Sequence, residues 1–320
     1  MTTYEIAACP ACRKNDVRTL ANRDQIKEEL EGLWQFHLKR MKTGAPVDQF
    51  FDRAIFSQNP PLQVVQCNVC GTVFRNPRES AQEVVETYQQ ESPSEAALES
   101  LFHQQLEFYR PRARQLAHLQ GDTGRVLEVG SYIGGFLIAA REAGWSARGI
   151  DVNSSANEFA RNKGCDVVEA TLDNYETGDR FDVVALWNCF DQLPDPHHAL
   201  ERAAHLLEAN GLIALRVPNG AFYAALRGRN PAVVRPLLAW NNLASFPYRH
   251  GFTLESLELM LREHGFEVAE VQPDTLVPIS GDWTRKWARM EEGFVKAAMR
   301  LMVPKRAAPW LEVYARRSAR

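Results

Sequence analysis

The chain has 320 residues, 45% of them hydrophobic, and a formal net charge of -3. That is enough for one sizeable core with a small appendage, and the balance gives no global pull toward nucleic acid or an anionic membrane. No apolar run approaches the ~18 residues of a membrane span, and the opening MTTYEIAACPACRKND lacks the charged and apolar regions of a signal peptide; a cytoplasmic protein without membrane attachment is the expectation.

Four of the six cysteines form two knuckles, Cys9-Pro-Ala-Cys12 and Cys67-Asn-Val-Cys70. Each short turn points two thiolates at one metal, the pattern of a tetrahedral four-cysteine zinc site. A closed site of this kind leaves no open coordination position, so the zinc would hold the fold rather than do chemistry. Residues 13–66 separate the knuckles, far more than the ~15 to 20 of a compact ribbon, and an insertion must fold out between them. Ile26, Leu30, Leu33, Trp34, Leu38 and Met41 recur at helical spacing and predict a helix there. Residues 79–119 read as two more helices, one carrying Val84, Val85 and Tyr88, the next Leu101, Phe102, Leu106, Tyr109 and Leu116. Pro93 divides them, and Pro111 is expected to start or kink a turn rather than sit inside a helix.

The stretch RVLEVGSYIGGFLIAAREAGWSARGID, residues 125–151, organises the larger part of the chain. Val126, Leu127 and Val129 form a strand ending at Gly130; a turn through Gly134 and Gly135 leads to a helix with Phe136, Leu137, Ala140 and Ala143, which stops at Gly144. A second strand, Ala147 to Ile150, closes on Asp151. A carboxylate there, ~20 residues beyond the glycine turn, is placed to accept hydrogen bonds from ribose hydroxyls. A dinucleotide fingerprint would need a glycine at Tyr132. What stands instead is E-x-G-x3-G, with an acid, Glu128, inside the strand end. Further strands are expected at Asp166 to Val168, Phe181 to Trp187, Leu212 to Val217, Phe266 to Val271 and Trp310 to Ala315. A helix from His197 to Glu208 has Asp195 as N-cap and Pro196 at its first position, and another runs from Thr253 to His264. Strands alternating with helices predict an α/β fold.

Glu128, Gly130, Gly134 and Asp151 together resemble the first motif of the class I, Rossmann-like S-adenosylmethionine (SAM) dependent methyltransferases. Cys67-Asn-Val-Cys70-Gly71-Thr-Val-Phe-Arg-Asn-Pro77 resembles the C-x2-C-G-x-V-F-x-N-P ending of zinc-ribbon methyltransferases, as in the zinc-containing sugar C-methyltransferases. Those relatives carry a further C-terminal domain, whereas here the residues after Asp151 are used in completing the sheet. The resemblance implies a seven-stranded sheet whose last strand is antiparallel. It also implies a division into a zinc-binding region (1–78, with the insertion at 13–66), a helical connector over the cofactor site (79–120) and a SAM-dependent domain (121–320) with a lid at 218–252.

By the same resemblance, the SAM site comprises Glu128 at the amino acid end, the loop Gly130, Ser131, Tyr132 and Gly134, Asp151 at the ribose with Val152 beside it, Thr171 and Leu172 with Asp173 at the adenine, and Asn188 after the fourth strand. Many relatives read L-E-H-L-P-D-P after that strand; this chain reads Phe190-Asp191-Gln192-Leu193-Pro194-Asp195-Pro196. Gln192 cannot act as a base, and Asp191 is expected beside the cofactor. The lid gathers Trp240, Phe246, Tyr248, Arg249 and His250, an aromatic and basic cluster suited to a pocket. His250 is the first choice for a general base, with Tyr248 behind it, while His197 and His198 are expected to be solvated in a first helical turn.

The implied reaction is methyl transfer by in-line displacement to a small molecule, a sugar or another secondary-metabolic or envelope intermediate. An RNA or protein methyltransferase docking through the ribbon is an alternative supported only by Lys305, Arg306, Arg316, Arg317 and Arg320, against a near-neutral chain. A non-catalytic SAM-binding scaffold is a second, suggested by Tyr132 and Gln192. The oligomeric state is not readable from the sequence.

Overall fold

The computed structural model describes residues 4–45, 61–90, 93–227, 229, 237–241, 243–244, 248–275 and 283–318. A short strand β1 (Tyr4–Glu5) precedes the first knuckle and β2 (Val17–Ala21) comes after it. Helix α1 (Arg23–Arg40) stands in the insertion, as the apolar spacing requires. It starts in a capping box: the Asn22 side chain accepts from the Gln25 N–H and the Gln25 side chain accepts from the Asn22 N–H. The second knuckle lies between β3 (Val64–Cys67) and β4 (Val73–Arg75); β5 (Arg78–Glu79) pairs with β1.

Helices α2 (Ala81–Gln90) and α3 (Glu95–Gln120) come next, and here one expectation is overturned: Pro111 lies inside α3. Pro111 and Glu107, whose carbonyl loses its partner, both lie on the exposed side, where water replaces the missing bond. The opposite face, with Leu98, Phe102, Leu106, Tyr109, Ala113 and Leu116, packs without interruption, and that burial keeps the helix continuous.

The rest of the chain alternates as predicted, through β6 (Arg125–Val129), α4 (Gly135–Glu142), β7 (Ser146–Asp151), α5 (Ser154–Asn162), β8 (Asp166–Glu169), β9 (Phe181–Trp187), α6 (Pro196–Leu206), β10 (Leu207–Pro218), α7 (Gly220–Leu226), β11 (His250–Gly251), α8 (Leu254–Glu263), β12 (Phe266–Asp274), α9 (Lys286–Met302) and β13 (Trp310–Arg317). The helix expected to run to Glu208 stops at Leu206, because the chain enters β10 at Leu207, where it pairs with Phe181.

Seven strands form one sheet in the order β12-β13-β10-β9-β6-β7-β8. The β8-β7-β6-β9-β10 run is parallel, and β13 is antiparallel to both of its neighbours. This is the α/β Rossmann-like methyltransferase sheet that the sequence implied. Its two faces bury separate cores: Leu127, Val129, Val184 and Leu215 pack with α6 and α8, and Val126, Val183, Ala185 and Ala214 with α3, α4 and α5.

A second sheet, β11-β4-β3-β2, carries both knuckles' flanking strands. Its edge strand β11 comes from the segment expected to be a lid, with His250 opposite Phe74 and Gly251 opposite Val73. The ribbon is thereby stitched to the larger sheet's connections. Thr253 Oγ1 donates to the Cys70 carbonyl at 3.3 Å, Arg75 Nε donates to the Tyr248 carbonyl at 2.9 Å, and His197 Nε2 donates to the Ala11 carbonyl at 2.8 Å.

Candidate active site

Strand order reverses between the parallel neighbours β6 and β9: from β6 the connections run outward to β7 and β8, then return to β9 on the other side. Loops at the carboxyl ends of strands part at such a point and leave a crevice. A cavity of about 290 Å³ opens there. Its walls hold Glu128, Gly130, Ser131, Tyr132, Asp151, Val152, Thr171, Leu172 and Asn188, the expected cofactor residues except Gly134, which caps α4 from behind.

The loop after β6 turns through residues in the left-handed region. Gly130 takes φ +72°, and a Cβ there would lie 2.9 Å from Cys189 Sγ. Tyr132, which stands where a dinucleotide fingerprint would need a glycine, adopts the left-handed conformation at φ 45°, at a cost of about 1 kcal/mol for a residue with a Cβ. The twist aims its backbone N–H at Asp151, which accepts it on Oδ2 at 2.9 Å and the Asn153 N–H on Oδ1 at 2.8 Å. Burial raises the Asp151 carboxyl above its ordinary range against these two bonds. Burial, reinforced by the charge of Asp151, raises Glu128 well above the usual carboxylate value. Glu128 Oε2, Ser131 Oγ and Trp187 Nε1 are buried, belong to cavity-lining residues and have no hydrogen-bond partner among the described residues. Two carboxyl groups in one apolar crevice, neither paired with a cationic side chain among the described residues, fit a cationic nucleoside, and the unpartnered polar atoms are placed to bond it.

Period-two alternation brings Glu128 on β6, Trp187 on β9 and Arg216 on β10 to the face that packs on α3. The other wall is built there by Phe108, Tyr109, Leu101, Val84, Val85 and, from the far side, Tyr248. Arg216 is buried yet lines the cavity. Its Nε donates to Asp274 Oδ2 at 2.6 Å and its other nitrogens donate to Asn188 Oδ1 and the Thr275 carbonyl. Its guanidinium lies 4.3 Å from the Trp310 ring and 5.0 Å from that of Phe108. Arg112 joins Asp274 to Glu312, Arg216's partner in register across β13. Burial opposes ionisation of Asp274, but the guanidinium groups of Arg216 and Arg112 hold its carboxyl below the ordinary range. Sequence reasoning missed this network. Its one signal was an arginine in the apolar run LIALRVP, where a buried strand must supply a partner.

The proposed catalytic residues separate. Tyr248 is on the wall, its ring set edge-on to Trp310 at 5.1 Å. His250 is not: it is fully buried in β11, Nε2 donates to the Leu193 carbonyl at 3.1 Å, and Nδ1 has no hydrogen-bond partner among the described residues. Burial, then the charges of Arg249 and Arg78, depress its pKa well below the usual histidine value. Asp191 lies beneath the cavity floor rather than on it. Neither carboxyl oxygen has a hydrogen-bond partner among the described residues, and burial pushes its pKa up to about 8. Gln192 sits on the wall, accepting from the Tyr88 hydroxyl and donating to the Asn188 carbonyl. Trp240 turns away to pack on Phe36 of α1, and Arg249 donates to the Glu79 carbonyl; Phe246 lies outside the described residues. Asp173 faces out and pairs with His198 at 3.3 Å. His197 is buried rather than solvated: besides Ala11 it meets His264 at 2.8 Å, because the ribbon covers this end of α6.

In the cysteine cluster, Cys9 and Cys70 sulfurs lie 3.5 Å apart, Cys12 and Cys67 3.5 Å apart, and all four sulfurs within 4.8 Å of one another, with no disulfide. Zinc bonded to four thiolates at ~2.3 Å would space them ~3.8 Å apart. Both knuckles turn through left-handed residues, Arg13 at φ 59° and Gly71 at φ 77°. The donor set and spacing fit the metal. Of the basic residues that favoured a nucleic-acid partner, three are engaged within the chain: Arg316 donates to the Leu119 and Asn210 carbonyls, Arg317 to that of Leu207, and Arg306 pairs with Glu255, while Lys305 is exposed and makes no ion pair among the described residues. Arg320 lies outside the described residues.

Residues 101–271, just over half of the chain, match a family model described as a methyltransferase domain. No curated protein sequence matches the chain. Among solved structures, it is similar to a SAM-dependent methyltransferase from Mesorhizobium loti (19% identity, 66% of this chain and 100% of that one, TM-score 0.47). It is also similar to the 1,6-didemethyltoxoflavin-N1-methyltransferase of Burkholderia thailandensis, solved with 1,6-didemethyltoxoflavin and S-adenosylhomocysteine (18% identity, 77% and 96% covered, TM-score 0.47).

Proposed function

Because the chain belongs to the methyltransferase-domain family and is a SAM-dependent methyltransferase, we propose that it methylates a small, mainly apolar acceptor, with four cysteines holding a structural zinc. The observation that carries the acceptor class is the apolar lining around Glu128: Val84, Val85, Leu101, Phe108, Tyr109, Trp187 and Tyr248 present carbon and ring faces. A polyhydroxylated sugar would leave many hydroxyls unpaired against it, so a compact aromatic or aliphatic acceptor fits better.

SAM supplies a methyl group on a sulfonium whose transfer leaves a neutral thioether, so no acid is required. In this reading, Glu128 faces the amino acid end, Asp151 accepts from the ribose, and Val152, Thr171 and Leu172 flank the base. The aromatic wall excludes water and aligns the acceptor, which can provide most of the acceleration. Tyr248 is the residue placed to orient an acceptor heteroatom; His250 acts through the backbone it holds.

SAM titration tests the reading. Asp151→Ala should weaken SAM binding by roughly 10- to 100-fold, the loss of hydrogen bonds to a charged acceptor. Glu128 is protonated below its raised pKa and must ionise to face a cation. Affinity should therefore rise with pH in the native protein and be flat in Glu128→Gln. A pH-independent native affinity would remove Glu128 from the cation's surroundings.

A further inference from the structure

Helix α9 leaves the sheet between β12 and β13 and carries an apolar stripe that none of the described residues covers. Met290 and Phe294 are each 75% exposed, Leu301 85% and Met302 80%, with Trp287 at 48%. Trp287, Met290, Phe294 and Leu301 succeed one another at helical spacing, so they share a line ~20 Å long on one side of the helix. Such exposure means that the side chains protrude; they form a ridge rather than a groove.

Cations surround this ridge. From Arg285 to Arg306 the sequence has seven Lys or Arg and two Glu, in a chain whose net charge is -3. Both glutamates are engaged, Glu291 with Arg40 and Glu292 with Lys296, whereas exposed Lys286, Arg289 and Lys305 make no ion pair among the described residues. The end of α1 adds to the same surface. Arg285 N–H donates to the Arg40 carbonyl and Lys42 N–H to that of Trp283, both at 2.8 Å, which sets half-exposed Leu38 and exposed Lys39 beside the start of α9.

We propose that α9 and the end of α1 form a docking surface for an anionic lipid bilayer, with α9 lying in the plane of the interface. An in-plane helix requires an apolar ridge to insert and cations beside it to meet the headgroups. The helix is neither long nor apolar enough to cross a membrane. A second copy of the chain is disfavoured by charge, since a two-fold contact would set Lys286, Arg289 and Lys305 against their own counterparts. A folded acidic protein would present a surface to a groove, and a protruding ridge suits a fluid layer better. The topology also orients the surface: β12 ends and β13 begins at the sheet edge where the cavity opens, so α9 emerges on that edge.

Vesicle co-sedimentation tests this, using phosphatidylcholine alone and phosphatidylcholine mixed with phosphatidylglycerol. The native protein should partition onto the anionic vesicles and not the neutral ones, and brominated lipid should quench its fluorescence in a way that Trp287→Phe removes. Met290→Ser with Phe294→Ser, and separately Lys286→Glu with Arg289→Glu, should each reduce partitioning by roughly ten-fold or more, while SAM affinity and circular dichroism stay native. Absence of binding to anionic vesicles, or equal binding by the ridge variants, overturns the proposal. A dimer in sedimentation velocity that Phe294→Ser dissociates would assign the ridge to a second copy instead, and capture of an acidic protein with no lipid binding would assign it to that partner.

Discussion

Asp191 keeps a carboxyl group where neither oxygen has a hydrogen-bond partner among the described residues, behind the wall formed by Asn188 and Cys189. Burial raises it to about 8, so the folded chain binds a proton there that the unfolded chain, titrating near ~3.9, releases. The stability this protonation provides is complete below pH ~4 and is lost as pH rises toward ~8. Asp191→Asn removes that dependence: its melting temperature relative to the native protein should climb by a few degrees between pH ~4 and ~8 and then level off. A constant difference across that range would show that Asp191 is ionised in the folded state. Arg216 shows the opposite solution to burying charge. Its guanidinium is met by Asp274, Asn188 and Thr275, so the cavity wall that buries it also supplies its hydrogen-bond partners.

At the scale of elements, α3 shows burial overriding a local rule. Pro111 interrupts one backbone bond on the exposed side, while Leu106, Tyr109 and Ala113 continue to pack. Pro111→Ala should restore that bond and stabilise the protein by about 1 to 3 kcal/mol, read as a rise of several degrees in melting temperature. A fall would mean that the proline's fixed backbone geometry is part of how α3 presents Phe108 and Tyr109 to the cavity. Strand β11 shows the same override in reverse. Two residues of a segment with no strand pattern of their own become a strand because β4 offers them an open edge.

Across the whole molecule, the ribbon and the SAM-binding sheet are joined rather than tethered. His250 and Gly251 complete the ribbon's sheet, and the adjacent Tyr248 completes the cavity wall. Loss of the proposed zinc would therefore be felt in the cavity. Metal analysis should find one zinc per chain, and a strong chelator should lower the melting temperature and weaken binding of the acceptor more than that of SAM. Unchanged thermal unfolding after complete metal removal would leave the four cysteines without a structural role.

The sequence by itself determined the α/β sheet, the order of its strands along the chain, the glycine loop with Glu128 and Asp151, and the pairing of the two knuckles. Each of these rests on local chemistry: side-chain period, the conformational needs of a tight turn, or the reach of a short Cys-x2-Cys loop. Tertiary structure alone decided that His250 belongs to the ribbon's edge while Tyr248 faces the cavity, and that His197 is covered. It also decided that Arg216, Arg112, Asp274 and Glu312 meet and that the α9 ridge stands uncovered among the described residues. Those outcomes depend on which distant segments approach one another, and neither periodicity nor spacing along a chain encodes that approach.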